Sequence, residues 1–124
     1  MVESKGKHRD SFDIKHAMMP IDDFARIHAL KNGIEQTNTL DRLHQLYLQN
    51  KMSYTDYNEI DQAYSFLMQL RLIRHISAIE KKQKPDNYIN PKKLSRIEQK
   101  MLKEIFKKIE TMQANLGFEF TGMM

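Results

Sequence analysis

The chain has 124 residues, of which 40% are hydrophobic and 29% charged, and glycine and proline are scarce. This composition is typical of a single helix-rich domain rather than a β-sandwich or a disordered tail. Without cysteine, the chain has no disulfide framework, thiolate metal site or cysteine nucleophile. The N-terminus is charged where a signal peptide is apolar, and no 18 apolar residues run together. We therefore expect a cytoplasmic location and no membrane partner.

The first predicted helix follows a short extended segment. Proline suits the first helical position, so we expect this helix to begin near Pro20 and to stop at the sequence KNG, which ends at Gly33. Asp22 and Asp23 would then lie at the positive end of the helix dipole, which is a sufficient structural role for them. Residues 1–17 are predicted to be an extended lead-in, and residues 18–124 a helical bundle.

Two more helices are predicted in the middle of the chain. Thr37 or Thr39 can cap the second helix. Ser53 can cap the third and longest helix, which the pattern extends over residues 54–79 and beyond. Residues 64–73 are apolar on nearly every side, which predicts that the third helix is the central, most buried one.

A long connection with two prolines, residues 81–93, precedes the last helix. We call this segment the long connection. Ser95 and Glu98 have the spacing of a capping box, and Gly117 is the predicted stop. The expected apolar sector of this helix comprises Ile97, Met101, Leu102, Ile105, Phe106, Ile109, Met112 and Leu116. Four helices with mostly short loops predict an all-α fold, a four-helix up-and-down bundle with an extended N-terminal lead-in.

Two arginines are predicted to face the bundle interior. Helical spacing puts Arg71 and Arg74 in the sector of the core residue Leu67. A guanidinium in such a place needs a carboxylate, a set of carbonyls or an anionic ligand, because a buried unpaired charge is costly. Two interpretations stay open: anion binding, or a structural role in which Arg71 pairs with an acid such as Asp41 or Asp61, or extends to the end of the bundle.

Positive charge is concentrated near the C-terminus of the chain. Residues 80–108 hold ten Lys or Arg and four acids, whereas the whole chain has a net charge of +4. Four basic residues recur opposite the apolar face of the last helix: Arg96, Lys100, Lys103 and Lys107. Glutamates intersperse them and no aromatic residue is present to stack a base, so a solvated face is favoured and nucleic acid is not an expected partner.

No catalytic machinery is evident. The five histidines, one of them His28, never share a helix turn, so we expect no metal site and assign His28 to packing. The acid pairs Asp10/Asp13 and Asp22/Asp23 do not follow a Gly-Ser turn on a strand, as a magnesium-binding pair for nucleotidyl transfer would. A P-loop, a dinucleotide fingerprint and a nucleophile elbow are missing from the sequence. We expect no catalytic residues and no catalysis by this chain alone.

An ordered series of segments carries a family resemblance. The segments are FDIK (12–15), MPIDDFARIHAL (19–30), NTLDRL (38–43), AYSFLMQLRL (63–72), PDNYINPKKLS (85–95) and LKEIF (102–106). The chain resembles, over about residues 10–120, the nucleotidyltransferase substrate-binding domain of bacterial signalling proteins. In that family the domain usually follows a nucleotidyltransferase-like domain, often with cyclic-nucleotide-binding or CBS-pair domains further upstream. The chain departs from the family pattern at His75, where Gln is usual, and at Asn90, where Asp is common.

The resemblance implies that catalysis and substrate binding belong to separate domains. The lead-in would be the junction from a catalytic domain that this chain lacks and that would hold magnesium and a nucleoside triphosphate. This domain would bind no cofactor itself and would orient the nucleotide or the acceptor. The resemblance implies six substrate-binding residues, Lys15, Arg26, Thr39, Arg42, Arg71 and Asn87, and helical spacing adds Arg74 as a seventh candidate. The alternative is a non-catalytic helical module that couples sensory and catalytic domains or forms a homodimer.

Overall fold

The computed structural model of the chain describes residues 10–123, with side chains described as far as residue 114. The elements in chain order are β1 Phe12–Asp13, α1 Ile14–Lys31, α2 Thr39–Leu48, α3 Tyr54–Glu80, β2 Tyr88–Ile89, a 3-10 turn Pro91–Lys93 and α4 Arg96–Met123. The prediction of an all-α, four-helix fold is confirmed. The lead-in residues before Asp10, with His8, lie outside the described residues.

The central helix of the fold is α1. It packs against α2, α3 and α4, whereas α3 and α4 make few contacts with each other. Its buried row is Ala17, Ile21, Ala25 and Ala29, spaced four residues apart. Because three of these side chains are alanines, the neighbouring helices can approach the α1 backbone closely.

The prediction that α3 is the most buried helix is wrong. It buries one face, which includes Ile60, Leu67 and Leu70, against the core. Five aliphatic side chains on other parts of the helix are exposed and form what we call the α3 strip: Met68, Leu72, Ile73, Ile76 and Ile79. An apolar composition on every side therefore does not mean burial on every side in this helix.

The start of α1 lies six residues before the predicted one, so the boundary drawn after residue 17 falls inside this helix. The Asp13 side chain caps α1 by accepting from the backbone N–H groups of Lys15 at 2.9 Å and His16 at 3.3 Å. Pro20 lies inside α1 and cannot donate to the His16 carbonyl. His16 is exposed, and the solvent side of a helix is where a missing backbone hydrogen bond costs least.

A small antiparallel sheet fastens the start of the chain to the long connection. Phe12 lies opposite Ile89, and Asp13 lies opposite Tyr88. The backbone N–H of Ile14 also donates to the Asn87 carbonyl at 2.7 Å. The described part of the lead-in is therefore integrated into the domain.

The other helix ends are set mainly by local hydrogen bonds. Asn38 caps α2, instead of the predicted Thr37 or Thr39, by accepting from the Asp41 N–H at 2.9 Å. Ser53 caps α3 as predicted. The predicted stop of α1 is also confirmed, because Gly33 has a φ of 67° and the next residue's N–H returns to the Ala29 carbonyl.

The last helix confirms its predicted start and corrects its end. Ser95 and Glu98 form the reciprocal capping box, with distances of 3.0 and 3.1 Å. The helix passes through Gly117 and runs to Met123. Ile97 is 74% exposed and Met101 41% exposed, so neither belongs to the core. The Leu116 side chain lies outside the described side chains.

Candidate functional site

A half-buried carboxylate joins three helices. Asp22 lies in α1, and its Oδ1 atom accepts two hydrogen bonds of 2.6 Å, one from the Thr39 hydroxyl of α2 and one from the Tyr64 hydroxyl of α3. We call these three residues the Asp22 cluster. Because α1 begins at Ile14, Asp22 is not in the first turn, and the predicted helix-dipole role is wrong. Its side chain instead fixes the relative positions of α1, α2 and α3.

The electrostatics of the Asp22 cluster keep its phenol protonated. Burial, and then the hydrogen bond to Asp22, raise the pKa of Tyr64 from 10.0 to about 12. The positive charge of Arg71 opposes this rise. Tyr64 is therefore a hydrogen-bond donor throughout the physiological pH range.

Arg71 is fixed by an uncharged partner. Its Nε donates to the Asn87 side-chain oxygen at 2.9 Å. In residues 10–114 no carboxylate pairs with Arg71, so the predicted partners Asp41 and Asp61 are both wrong. Arg71 follows Tyr64 by seven residues, about two helical turns, and thus lies on the same side of α3. Arg71 lies close enough to the Asp22 cluster for its positive charge to oppose the rise in the pKa of Tyr64.

Arg42 has the same kind of anchor. Its Nε donates to the backbone carbonyl of Gln36 at 2.8 Å. Arg42 follows Thr39 by three residues, so it lies one turn further along α2 from the Asp22 cluster. We refer to Arg42 and Arg71 as the anchored arginines. Both are half-buried, and each is held through Nε by an acceptor without charge.

Two other predicted arginines are bound to carboxylates. Arg74 donates from Nε and Nη2 to the two oxygens of Asp86, at 3.2 and 3.3 Å. Arg26 pairs with Asp23 at 3.2 Å on the exposed side of α1. Each ion pair offsets the charge of its arginine, so these residues offer less to an anion than the anchored arginines do.

The remaining predicted residues relate to the Asp22 cluster in different ways. Thr39 belongs to it directly. Lys15 is exposed and precedes Asp22 by seven residues, which puts both on one side of α1. Arg26, four residues after Asp22, shares that side, so the three residues form a line along α1.

Asn87 connects the long connection to α3. Its side-chain oxygen accepts from Arg71 and contacts the Nε2 of His75 at 3.0 Å. Asn90, the other departure from the family pattern, caps the 3-10 turn by accepting from the Lys92 N–H at 3.0 Å. His75 and Asn90, the two residues that depart from the family pattern, therefore both have hydrogen-bonding partners in this structure.

Sequence reasoning missed several members of the site. Tyr64, His75 and Asp86 were not predicted as site residues, and Asp22 was assigned to a helix start. With the helix start placed correctly, the seven-residue spacing would have shown that Asp22 lies on the same side of α1 as the predicted site residue Lys15. The partnership of His75 with Asn87 has no sequence signal, because the chain must turn back between them.

One concave surface of the described residues lies away from these side chains. A groove of about 800 Å³ runs between α3 and α4, with Ala63, Ile97, Met101 and Ile105 among its lining residues. None of the predicted site residues lines it. Within residues 10–114, no group of three His, Asp or Glu side chains could hold a metal ion. Polar contacts, rather than cavity size, thus define the candidate site.

The predicted role of His28 is confirmed. This side chain is half-buried and its ring lies 4.5 Å from the ring of Phe24, centre to centre. It therefore serves packing within α1.

Comparison with known proteins gives the family. A family model described as "putative nucleotidyltransferase substrate binding domain" matches residues 1–120. Since this match covers nearly the whole chain, the chain belongs to that family, which confirms the resemblance. Comparisons with curated proteins and with solved structures found no match. No helix in residues 10–123 is long and apolar enough to cross a membrane.

Proposed function

We propose that this domain binds an anionic substrate, a nucleotide or its acceptor, and orients it for a nucleotidyltransferase catalytic domain in cis. The observation that carries the proposal is the pair of anchored arginines beside the Asp22 cluster. Each guanidinium is held in place while its charge remains available to a ligand. The family membership supports the same role.

The physical advantage of such a site is preorganisation. A long, solvated side chain loses conformational freedom when it grips a ligand, and that loss weakens binding. Arg42 and Arg71 are already held by Gln36 and Asn87, so little further ordering is needed. Orientation of one reactant against another can contribute several kcal/mol to a transfer reaction, roughly. The catalytic domain would supply the metal-binding carboxylates and the chemistry of nucleotidyl transfer.

A titration of the chain with magnesium complexes of the four common nucleoside triphosphates tests the proposal. We expect saturable binding at moderate salt, and a Kd at least about tenfold weaker in Arg71→Ala, because a charged hydrogen-bonding partner is lost. Arg96→Ala is the matched control, since Arg96 is exposed on α4. Equal losses in both variants, or binding that fades uniformly with salt, would argue for general charge attraction instead.

A second candidate function is favoured by the α3 strip. Leu72 is 60% exposed and Ile79 is 63% exposed, and such a contiguous apolar surface marks an interaction site. The charged side chains of this part of α3, Arg71 and Arg74, are directed to the long connection by Asn87 and Asp86. An uncharged face can meet its own copy about a two-fold axis without like-charge repulsion. We infer that a second copy of the chain is the occupant, which makes the domain a dimerisation module.

Sedimentation equilibrium tests this second candidate. We expect a concentration-dependent dimer that the double variant Leu72→Gln/Ile76→Gln converts to a monomer. Leu30→Gln is the matched control, because Leu30 is 71% exposed on α1, away from the strip. A wild-type chain that stays monomeric at high concentration would refute the dimer and leave substrate binding untouched.

A further inference from the structure

The hydrogen bonds of Arg71 leave a specific part of it available. A guanidinium can donate two parallel hydrogen bonds from its side edge, Nε with one Nη, or from its end edge, Nη1 with Nη2. In Arg71 the Nε donates to Asn87, so the side edge is engaged. Neither Nη atom donates to any residue in the part of the chain with described side chains. The end edge is therefore the one that a ligand can use.

Asn87 is itself held from several directions. Arginine can only donate, so the Asn87 atom that Arg71 contacts is an acceptor oxygen. The same oxygen contacts His75 Nε2 at 3.0 Å, which means that this ring nitrogen carries a hydrogen. The Asn87 backbone carbonyl accepts from Ile14 at 2.7 Å. With contacts to α3 and to the start of α1, Asn87 is a fixed reference point for the guanidinium.

An amide partner has a different consequence from a carboxylate partner. Asp86 fixes Arg74 but also offsets its charge, whereas Asn87 fixes Arg71 and leaves its charge in place. Arg71 and Arg74 are three residues apart on one helix, so this difference in partner separates their chemical roles. Arg74 supports the long connection, and Arg71 is left to attract an anion.

We propose that the ligand presents two oxygens of one oxyanion to the Nη1/Nη2 edge of Arg71, and that Asn87 is the positioning residue that sets this geometry. The inference rests on the proposed substrate-binding function and names the chemical class of the ligand. A phosphoryl group and a carboxylate both have two oxygens at a suitable separation for an end-on pair. The first would come from a nucleotide and the second from an acceptor.

The test combines two substitutions of Asn87 with two probes, inorganic pyrophosphate and glutarate. Asn87→Asp keeps the acceptor oxygen but offsets the Arg71 charge, so we expect Arg71 to stay in place while affinity falls about tenfold or more. Asn87→Ala removes the acceptor, so we expect both the fixed position and the affinity to be lost. The side-chain Nε–H resonance of Arg71, followed by NMR, reports its position independently of binding. Arg96→Ala, on the exposed side of α4, is the control and should bind within about twofold of wild type.

The outcomes separate this inference from the proposed function. Preferential binding of pyrophosphate identifies a phosphoryl ligand, and preferential binding of glutarate identifies a carboxylate. If triphosphate binding depends on Arg71 but neither Asn87 variant changes it, the positioning role is refuted and the proposed function stands. An equal loss in Arg96→Ala also refutes the inference. If the wild-type chain binds none of the triphosphates and neither probe, both proposals are refuted.

Discussion

Two basic regions of this domain differ in how their charges are held. Around the Asp22 cluster, the anchored arginines are half-buried, and their Nε atoms donate to Gln36 and Asn87. On the basic face of α4 the side chains are exposed and have no hydrogen-bonding partner among the described residues: Arg96, Lys100, Lys103 and Lys107. On net charge alone, the α4 face would be the better candidate for binding an anion. The anchored arginines are favoured instead, because a side chain that is already held in position loses less conformational entropy on binding.

The largest expected difference between the two regions is in stability. Asp22→Ala removes the acceptor of two hydrogen bonds and should lower the free energy of unfolding by about 2–3 kcal/mol. Lys103→Ala on the α4 face should change it by less than about 0.5 kcal/mol. Urea denaturation measures both values. Asp23→Ala is the matched control, because among the described residues that carboxylate has only an exposed pairing with Arg26. A similar loss there would contradict the role of the Asp22 cluster.

A pH dependence at the alkaline end should be specific to the Asp22 cluster. The folded state raises the pKa of Tyr64 from 10.0 to about 12, so it binds this proton more tightly than the unfolded state. The contribution of Tyr64 to stability is thus complete below pH 10.0 and is lost as the pH rises towards about 12. We expect the stability difference between wild type and Tyr64→Phe to shrink over that interval. A difference that stays constant with pH would contradict the Tyr64 to Asp22 hydrogen bond.

The smallest expected effect comes from substitution of Lys108, the α4 lysine that has carboxylate partners on α3 among the described residues. Lys108 contacts Asp56 at 2.7 Å and Glu59 at 3.0 Å. Both carboxylates are about half exposed, so Lys108→Ala should cost about 0.5–1 kcal/mol. The hydrogen bond to Lys108 is the main cause that lowers the pKa of Asp56 from 3.8.

The sign of the pH dependence follows from that lowered pKa. The Asp56 contribution is present above about pH 4 and is lost at lower pH, as the carboxylate becomes protonated. The stability difference between wild type and Lys108→Ala, measured by urea denaturation, should therefore shrink in acid. Lys103→Ala serves as the control. An equal acid dependence in that variant would assign the effect to overall charge rather than to the Lys108 pair.

Local rules were enough to predict three of the helix ends. The Ser53 cap, the Ser95 capping box and the Gly33 stop involve residues within a few positions of each other. The start of α1 was predicted wrongly because part of its support is distant. The Ile14 N–H finds its acceptor at Asn87, far along the chain, and no local pattern reveals this bond.

The candidate site was only partly predictable for the same reason. Helical periodicity identified Arg71 as a residue that needs a partner, but it suggested an acid of the bundle rather than the amide of Asn87. Tyr64 and Asp22 are 42 positions apart, and only tertiary packing brings them together. Residue type and spacing thus found the charges, whereas the three-dimensional fold determined which of them remain available to a ligand.

The pairing of β1 with β2 has a mechanical consequence. Tension applied at Phe12 along the strand would load β2 in shear, and the load would pass through the Ile14 to Asn87 bond. Asn87 is also the anchor of Arg71, so a force on β1 reaches the residue that positions this guanidinium. We therefore expect tension on β1 to weaken the proposed binding of an oxyanion by Arg71, which lies on α3.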